Sequence, residues 1–210
     1  MTTNVYVDGF NLYYRALKGR PFRWLDLCKL SEVLFPRDTI KQVCYFTALL
    51  DARPSDPAQP QRQQVYLRAL ATLPNLEVYY GTFRSRTKHR PLVKPIVGLP
   101  EIVEVRDSEE EGSDVNLVTR LLVDGFNGEY EQAVVISNDS DFASAIRYVR
   151  DSLHLRVTVV NPDRKNRTHK DLKNAATYVK RLWKSHLRQS QFPHSLADAH
   201  GTIRKPNSWK

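Results

Sequence analysis

Five short runs rich in β-branched and aromatic residues constrain the fold of this chain more than any other feature. Segments with helical spacing of apolar residues separate them, so strand and helix signals alternate along most of the sequence. Such alternation is typical of β-α-β units, in which helices cover both faces of a parallel sheet. The sequence therefore predicts an α/β fold with a doubly wound, mainly parallel sheet. The predicted strands are residues 4–7, 41–49, 76–81, 132–137 and 155–162.

The predicted helices lie between and after these strands, and one segment departs from the pattern. Residues 82–107 are largely basic and polar, and residues 101–105 alternate charged and apolar side chains like an edge strand, so we expect an insertion or a hairpin there. From residue 172 onward we expect one or two helices and a polar tail. The predicted helices are residues 8–19, 25–34, 61–73, 113–125 and 140–152.

Four aspartates occupy strand ends or helix starts. Asp8 follows the first strand, Asp139 follows the strand 132–137, Asp141 comes two residues later, and Asp114 begins a helix. Taken singly, each aspartate could also serve only as part of a turn or as a helix cap. In a doubly wound sheet, however, ligands bind beyond the carboxyl ends of the strands, and there all four would meet. Oxygen ligands without His or Cys suit Mg²⁺ or Mn²⁺, and such ions commonly serve phosphoryl chemistry.

The pentapeptide VDGFN occurs twice, at residues 7–11 and 123–127. The first copy follows a strand and opens a helix, whereas the second ends the helix that starts at residue 113, with Gly125 as its predicted C-cap. We therefore exclude Asp124 from the predicted site.

Size and charge narrow the class of protein. The 210 residues are enough for one domain with a full core, and 32 Lys and Arg against 23 Asp and Glu give a net charge of +9, which favours a polyanionic partner. No leader peptide or apolar membrane span is recognisable, so we expect a cytoplasmic protein without a membrane partner. The two cysteines fit buried thiols better than a disulfide or a metal site.

Two groups of cations follow predicted strands at the same edge as the aspartates. We expect them to contact nucleic-acid phosphates, with Phe83 available to stack on a base, although solvated loops would have the same composition. The predicted nucleic-acid contacts are Arg84, Arg86, Lys88 and Arg90 in one group, and Arg164, Lys165 and Arg167 in the other.

Three separated motifs, YVDGFNLYY, EEGSDVNLVTRLL and VVISNDSDFASAIRYVR, closely resemble the NYN-domain family, a branch of the PIN-like metal-dependent nucleases. The tail SQFP…GTIRKPNSW is similar to that of bacterial stand-alone members. The resemblance implies a Rossmann-like nuclease domain over residues 1–185, with residues 186–210 as a tail packed on it or extending from it. It implies a Mg²⁺- or Mn²⁺-dependent ribonuclease. By motif, the implied catalytic residues are Asp8, Asn11, Asp114, Asp139 and Asp141, with the four aspartates as metal ligands.

The predicted reaction is hydrolysis of RNA by a metal-activated water, which leaves 5′-phosphate ends. RNA is favoured over DNA by the resemblance only, and the sequence does not decide between a monomer and a homo-oligomer. Asn11 has two open roles, in orienting a phosphate or water and in stabilising a turn.

Two alternative functions stay open. An RNA-binding module with a degenerate site is one, because Glu111 stands where related sequences commonly have Lys. An aspartyl-phosphate phosphatase using Asp139 and Asp141 is the other, but in those enzymes the Asp-x-Asp pair follows the first strand.

Overall fold

The computed structural model describes residues 1–98, 100–163, 165 and 167–209, except for the side chains of Arg106 and Ser108. A seven-stranded sheet forms its centre. Its strands are β1 (Thr2–Asp8), β2 (Thr39–Ala48), β3 (Leu76–Pro91), β4 (Ile102–Glu111), β5 (Gln132–Ile136), β6 (Arg156–Asn161) and β7 (Tyr178–Arg181).

The strand order β4-β3-β2-β1-β5-β6-β7 confirms the predicted α/β fold. All neighbours pair in parallel except β3 and β4, which are antiparallel. The chain builds outward from β1 through β2 and β3, and later from β5 through β6 and β7 on the other side. The direction of winding therefore reverses between β1 and β5, and such a switch point leaves a crevice beyond the carboxyl ends of the two strands.

Helices cover both faces of this sheet, and each face has its own hydrophobic core. Trp24 is buried in one core and Phe142 in the other. No helix in the described part of the chain is both long and apolar enough to span a bilayer. The helices are α1 (Gly9–Leu12), which continues as a π-helix (Tyr13–Leu17), then α2 (Leu27–Leu34), α3 (Gln59–Leu70), α4 (Ser113–Phe126), a 3₁₀ turn (Ser140–Phe142), α5 (Ala143–Asp151), α6 (Lys170–Ala175) and α7 (Lys184–Gln189).

The basic segment after residue 81 is strand rather than loop. β3 runs for 16 residues to Pro91 and pairs with β4 from Thr82 opposite Glu111 to Pro91 opposite Ile102. The predicted hairpin is therefore present, and cations of β3 face acidic residues of β4 across it. The predicted cap at Gly125 is wrong: α4 continues to Phe126, and Gly128 takes the left-handed conformation, with a φ of 67°.

The segment after α7 packs on the domain. It forms a hairpin of β8 (Ser195–Asp198) and β9 (Gly201–Arg204) and a 3₁₀ turn (Asn207–Trp209). The Trp209 ring is buried, and its centroid lies 6.3 Å from that of Trp24 and 5.9 Å from that of Tyr66. A division of the chain at residue 185 stays a prediction.

Candidate active site at the switch point of the sheet

Asp8 is the last residue of β1 and caps α1. One carboxylate oxygen, Oδ1, accepts a hydrogen bond from the backbone N–H of Asn11 at 2.9 Å, and Oδ2 accepts one from the Ser137 hydroxyl at 2.8 Å. The start of α1 can lie this close to β2 because Gly9 has no side chain: a Cβ at this position would lie 2.6 Å from the carbonyl oxygen of Phe46 in β2. Asp8 is only 7% exposed, so its carboxylate is fixed in place from both sides.

Asp139 and Asp141 lie in the turn that follows β5. The Ser137 hydroxyl oxygen accepts from the Asp139 backbone N–H at 3.0 Å, and Asp139 Oδ1 accepts from the Asp141 backbone N–H at 3.1 Å. Asn11 Oδ1 accepts from the backbone N–H of Asn138 at 3.0 Å. This contact supports the turn-stabilising role of Asn11, because it ties the turn after β5 to the start of α1.

Asp114 enters the site from the first turn of α4, after Gly112, whose φ of 98° turns the chain out of β4. The neighbouring Glu110 side chain accepts from the backbone N–H and the hydroxyl of Ser113 at 3.0 and 2.7 Å. This junction also needs a glycine on β3, because a Cβ at Gly81 would lie 2.8 Å from the Glu111 carbonyl oxygen and 2.8 Å from the Ser113 backbone nitrogen.

The carboxylates from β1, β4, β5 and α4 converge on one cavity of about 290 Å³, hereafter the acidic cavity. Asp141 is not among the described residues that line it, although its charge acts on Asp114. The sequence placed four aspartates at this edge of the sheet, and three of them reach one space. The lining residues are Asp8, Phe10, Asn11, Tyr14, Arg53, Phe83, Glu110, Ser113, Asp114 and Asp139.

Ionisation of Asp8 and of Asp114 is unfavourable in the acidic cavity. Burial raises the pKa of Asp8 from 3.8 to about 6, against the hydrogen bonds from Asn11 and Ser137, and repulsion by Asp139 and Glu110 adds to the shift. The pKa of Asp114 also rises to about 6, through partial burial first and then through repulsion by the other carboxylates. A cation in this cavity would relieve both penalties.

The donor set fits a hard divalent cation. Within the described residues, no three His, Cys, Asp or Glu side chains are grouped closely enough to enclose a metal ion. Mg²⁺ commonly binds through one or two carboxylates and keeps several waters, so it does not need such a cage. Asp8, with Asp139 or Asp114, has the oxygen ligands that Mg²⁺ and Mn²⁺ prefer. The positions of these carboxylates are compatible with metal binding, and their role as metal ligands stays a prediction.

Glu110 and Ser137 are the residues that sequence reasoning missed. The sequence pattern singled out Glu111, but Glu111 does not line the acidic cavity in the described structure and instead forms ion pairs with Arg84 at 3.1 Å and Arg86 at 3.6 Å. Successive side chains of a strand point to opposite faces, so a shift of one residue decides which glutamate meets the cavity. The sequence signal for Ser137 was its place at the end of a buried strand beside Asp139.

Asp124, excluded from the predicted site, lies elsewhere. It is buried in α4, accepts a hydrogen bond from the Tyr6 hydroxyl at 2.8 Å and pairs with Arg120 at 3.0 Å. Ten residues of α-helix separate it from Asp114, a distance of about 15 Å along the axis.

The cations of β3 do not form an unopposed basic surface. Lys88 pairs with Asp107 at 3.0 Å and with Glu109 at 2.7 Å, and Arg90 pairs with Asp107 at 3.5 Å. Residues 76–111 contain 6 Lys and Arg against 7 Asp and Glu, so the segment has a net charge of −1. The prediction treated these cations as a free basic stretch, because it limited the edge strand to residues 101–105 and did not pair the acidic residues after it with them.

The excess positive charge lies after β6 instead. Residues 162–210 contain 12 Lys and Arg against 3 Asp, a net charge of +9, equal to that of the whole chain. Of the predicted contacts in this region, Lys165 and Arg167 are described, and Arg164 lies outside the described residues. The Arg167 carbonyl accepts a hydrogen bond from Asn138 Nδ2 at 2.9 Å, which brings this loop against the turn that carries Asp139.

Known proteins resemble this chain in sequence and in fold. The profile of the NYN domain matches residues 2–182. The whole chain is 30% identical over 236 aligned positions to 6-hydroxy-3-succinoylpyridine 3-monooxygenase HspA of Pseudomonas putida, of which the alignment covers 75%. A protein of unknown function from Vibrio parahaemolyticus has a similar fold, with a TM-score of 0.55 and 16% identity over 91% of this chain and 96% of that one. That last likeness is one of fold alone.

Proposed function

Because this chain belongs to the NYN-domain family of PIN-like nucleases, we propose that it is a Mg²⁺- or Mn²⁺-dependent ribonuclease that leaves 5′-phosphate ends. One observation carries the proposal: Asp8, Asp114 and Asp139 come from three separate elements and line one cavity at the switch point of the sheet. Burial first, and the neighbouring carboxylates after it, raise the pKa of Asp8 and of Asp114 to about 6, and a bound cation would offset both effects.

The carboxylates have different supports and therefore different parts in the proposed reaction. Asp8 is held by Asn11 and Ser137 and would offer a fixed oxygen to the ion, with Asp139 beside it. Asp114 is exposed on one side and would complete the ligand set or hold a proton near the scissile phosphate. When bound, the ion supplies Lewis acidity, charge for the phosphate oxygens and activation of the attacking water.

The RNA strand would run along the β6 and β7 side of the sheet edge. Lys165 and Arg167 lie in a loop tied to the turn after β5, and the C-terminal part of the chain holds the positive excess. Farther along, the Arg181 guanidinium lies 4.1 Å from the centroid of the Trp183 ring, which is 51% exposed and available to stack on a base. A cytoplasmic location is part of the same proposal.

A second candidate is oxygenation of a hydroxypyridine ring. It is favoured by the name of the Pseudomonas putida relative, whose alignment covers the whole of this chain. Such a reaction needs O₂ and a two-electron donor as well as the ring. The non-catalytic RNA-binding module is a further alternative.

Cleavage of a 3′-labelled single-stranded RNA separates these functions. We expect cleavage with Mn²⁺ or Mg²⁺, none with EDTA, and products whose 5′ ends can be ligated directly. Asp8→Asn should fold, bind the RNA and lose about 10³-fold or more in rate, whereas Asp151→Asn, at the far end of α5, should cleave normally. If the wild type binds the RNA without cleaving it, the result would support the RNA-binding module. Consumption of O₂ and NADH with 6-hydroxy-3-succinoylpyridine would instead support the oxygenase.

A further inference from the structure

A second cavity, of about 110 Å³, lies between the α1 segment and α3, and we call it the aromatic cavity. Its wall includes Tyr13, Tyr14, Tyr45, Tyr66 and Trp209. The rings contact one another as well as the cavity: the centroids of Tyr45 and Tyr66 are 6.4 Å apart, and those of Tyr66 and Trp209 are 5.9 Å apart. The result is a small space bounded by faces and edges of aromatic rings, which favours a flat partner.

The backbone on one side of the aromatic cavity has an uncommon form. The π-helix is closed by a hydrogen bond from the Lys18 N–H to the Tyr13 carbonyl at 2.7 Å, five residues apart. Such wide turns are rare and are frequently found at functional sites. Here the wide turn contributes Tyr13, Tyr14 and Leu17 to the cavity wall.

Arg23 places a guanidinium group in the same wall. Its Nη2 donates to the Ser208 carbonyl at 2.6 Å, and its guanidinium lies 5.5 Å from the Trp209 ring centroid. Its Nε is buried and has no hydrogen-bond partner in the described part of the chain. Because Nε is buried, an acceptor in the cavity would pair with a terminal N–H of the guanidinium, since Arg23 lines the cavity.

We propose that the aromatic cavity binds one planar heteroaromatic ring that presents a hydrogen-bond acceptor to Arg23. Its volume is of the same order as a cavity of about 150 Å³ that holds benzene, so one ring fits. The tyrosines supply faces for stacking, and the guanidinium selects a ring with a carbonyl or ring-nitrogen acceptor over a plain hydrocarbon.

The position of the aromatic cavity favours a nucleobase as the source of the ring. Phe10 and Tyr14 line both the aromatic and the acidic cavity, so the two spaces are neighbours. A pyrimidine base could occupy the first while a phosphate of the same strand lies at the second. Only this choice of source rests on the proposed ribonuclease function. A free hydroxypyridine has the same ring chemistry and is the other source.

Binding to metal-free protein in EDTA tests the proposal without requiring cleavage. The probes are hexauridylate, an abasic ribose-phosphate hexamer of equal charge, and 6-hydroxynicotinate as a free ring, titrated by calorimetry. The variants are Arg23→Met, Gln59→Trp to fill the cavity mouth, and Arg37→Met as a control of equal charge change. Arg37 is exposed between α2 and β2, at the opposite edge of the sheet. Circular dichroism and the melting temperature show whether each variant is folded.

If a nucleobase is the ligand, hexauridylate should bind at least about fivefold more tightly than the abasic hexamer. That preference should disappear in Arg23→Met and Gln59→Trp but not in Arg37→Met. If 6-hydroxynicotinate binds in an Arg23-dependent way while the two hexamers bind equally, the ring site stands and its ligand is a free molecule. Equal behaviour of all folded variants toward every probe would overturn the ring site. A failed cleavage assay would not, because no metal or cleavage enters this experiment.

Discussion

Ser137 donates a 2.8 Å hydrogen bond from its hydroxyl to Oδ2 of Asp8, across the junction of β5 and β1. The Ser137 hydroxyl oxygen also accepts from the backbone N–H of Asp139 at 3.0 Å. One small side chain thus fixes the distance between the two strand ends that carry the proposed metal ligands. Removing it should disturb their geometry without opening the core.

Ser137→Ala should therefore lower the cleavage rate and the metal affinity by about 10–100-fold, as expected for loss of a group that orients a metal ligand. The pKa of Asp8 should rise above about 6, since the hydrogen bond that lowers it has gone. Kinetics against Mn²⁺ concentration and carboxyl NMR measure both effects. Ser195→Ala, exposed on β8, is the control. Unchanged metal dependence in Ser137→Ala would contradict the bridging role.

The raised pKa of Asp8 predicts a pH-dependent stability of the metal-free protein. Its folded pKa of about 6 exceeds the ordinary 3.8, so the fold favours the protonated form. The charged Asp8 carboxylate therefore lowers the free energy of unfolding. This loss of stability is fully present above pH 6 and disappears as the pH falls below 3.8. Asp8→Asn removes the charge but keeps only part of the hydrogen bonding. We expect it to be more stable than wild type by about 1–3 kcal/mol at pH 8.

This advantage of Asp8→Asn should shrink as the pH falls from 6 to 4, and urea unfolding across that range would measure it. Saturating Mg²⁺ should reduce it at pH 8, because the cation offsets the cost of the buried Asp8 charge in the wild type. A wild type that is more stable than Asp8→Asn at pH 8 without metal would show that the hydrogen bonds outweigh the burial of charge.

Divalent ions should stabilise the folded protein. At about 100 times the dissociation constant, an ion that binds only the folded state adds about 2.7 kcal/mol, which for this size raises the melting temperature by about 5–10 °C. Asp139→Asn should lose most of this shift, while Asp151→Asn should retain it. Calorimetric melts with and without Mn²⁺ give the comparison, and equal shifts in wild type and Asp139→Asn would count against the metal site.

The distribution of charge predicts which cations hold RNA. Lys165→Gln with Arg167→Gln should reduce the slope of log K against log salt by about 1.4, at about 0.7 for each phosphate of a single strand that is no longer neutralised. Arg84→Gln with Arg86→Gln should change it by less than about 0.7, because Glu111 already pairs with both arginines. Filter binding from about 50 to 200 mM salt measures the slopes. The reverse order would mean that the β3 and β4 hairpin carries the strand.

The sequence was enough to predict the parts of the site that depend on element order. Once Asp8 and Asp139 were assigned to strand ends, the parallel sheet brought them to one edge. To predict that Glu110 lines the acidic cavity would have required the register of β3 against β4. Alternation within a short charged run does not determine that register. To predict the aromatic cavity would have required the contact between Tyr66 and Trp209. These residues are distant in the chain, and no local sequence pattern indicates that they meet.

The pairing of β1 with β5 also determines when the site comes into existence. Val7 lies opposite Ile136 in this pairing, so the two strand ends meet only after the intervening chain has folded around them. During synthesis, a chain that has emerged only as far as β4 has Asp8 in place and lacks the strand that brings Asp139 to it. The acidic cavity is thus a late product of folding. A chain cut short before β5 would therefore hold Asp8 without Asp139 and would lack one wall of the acidic cavity.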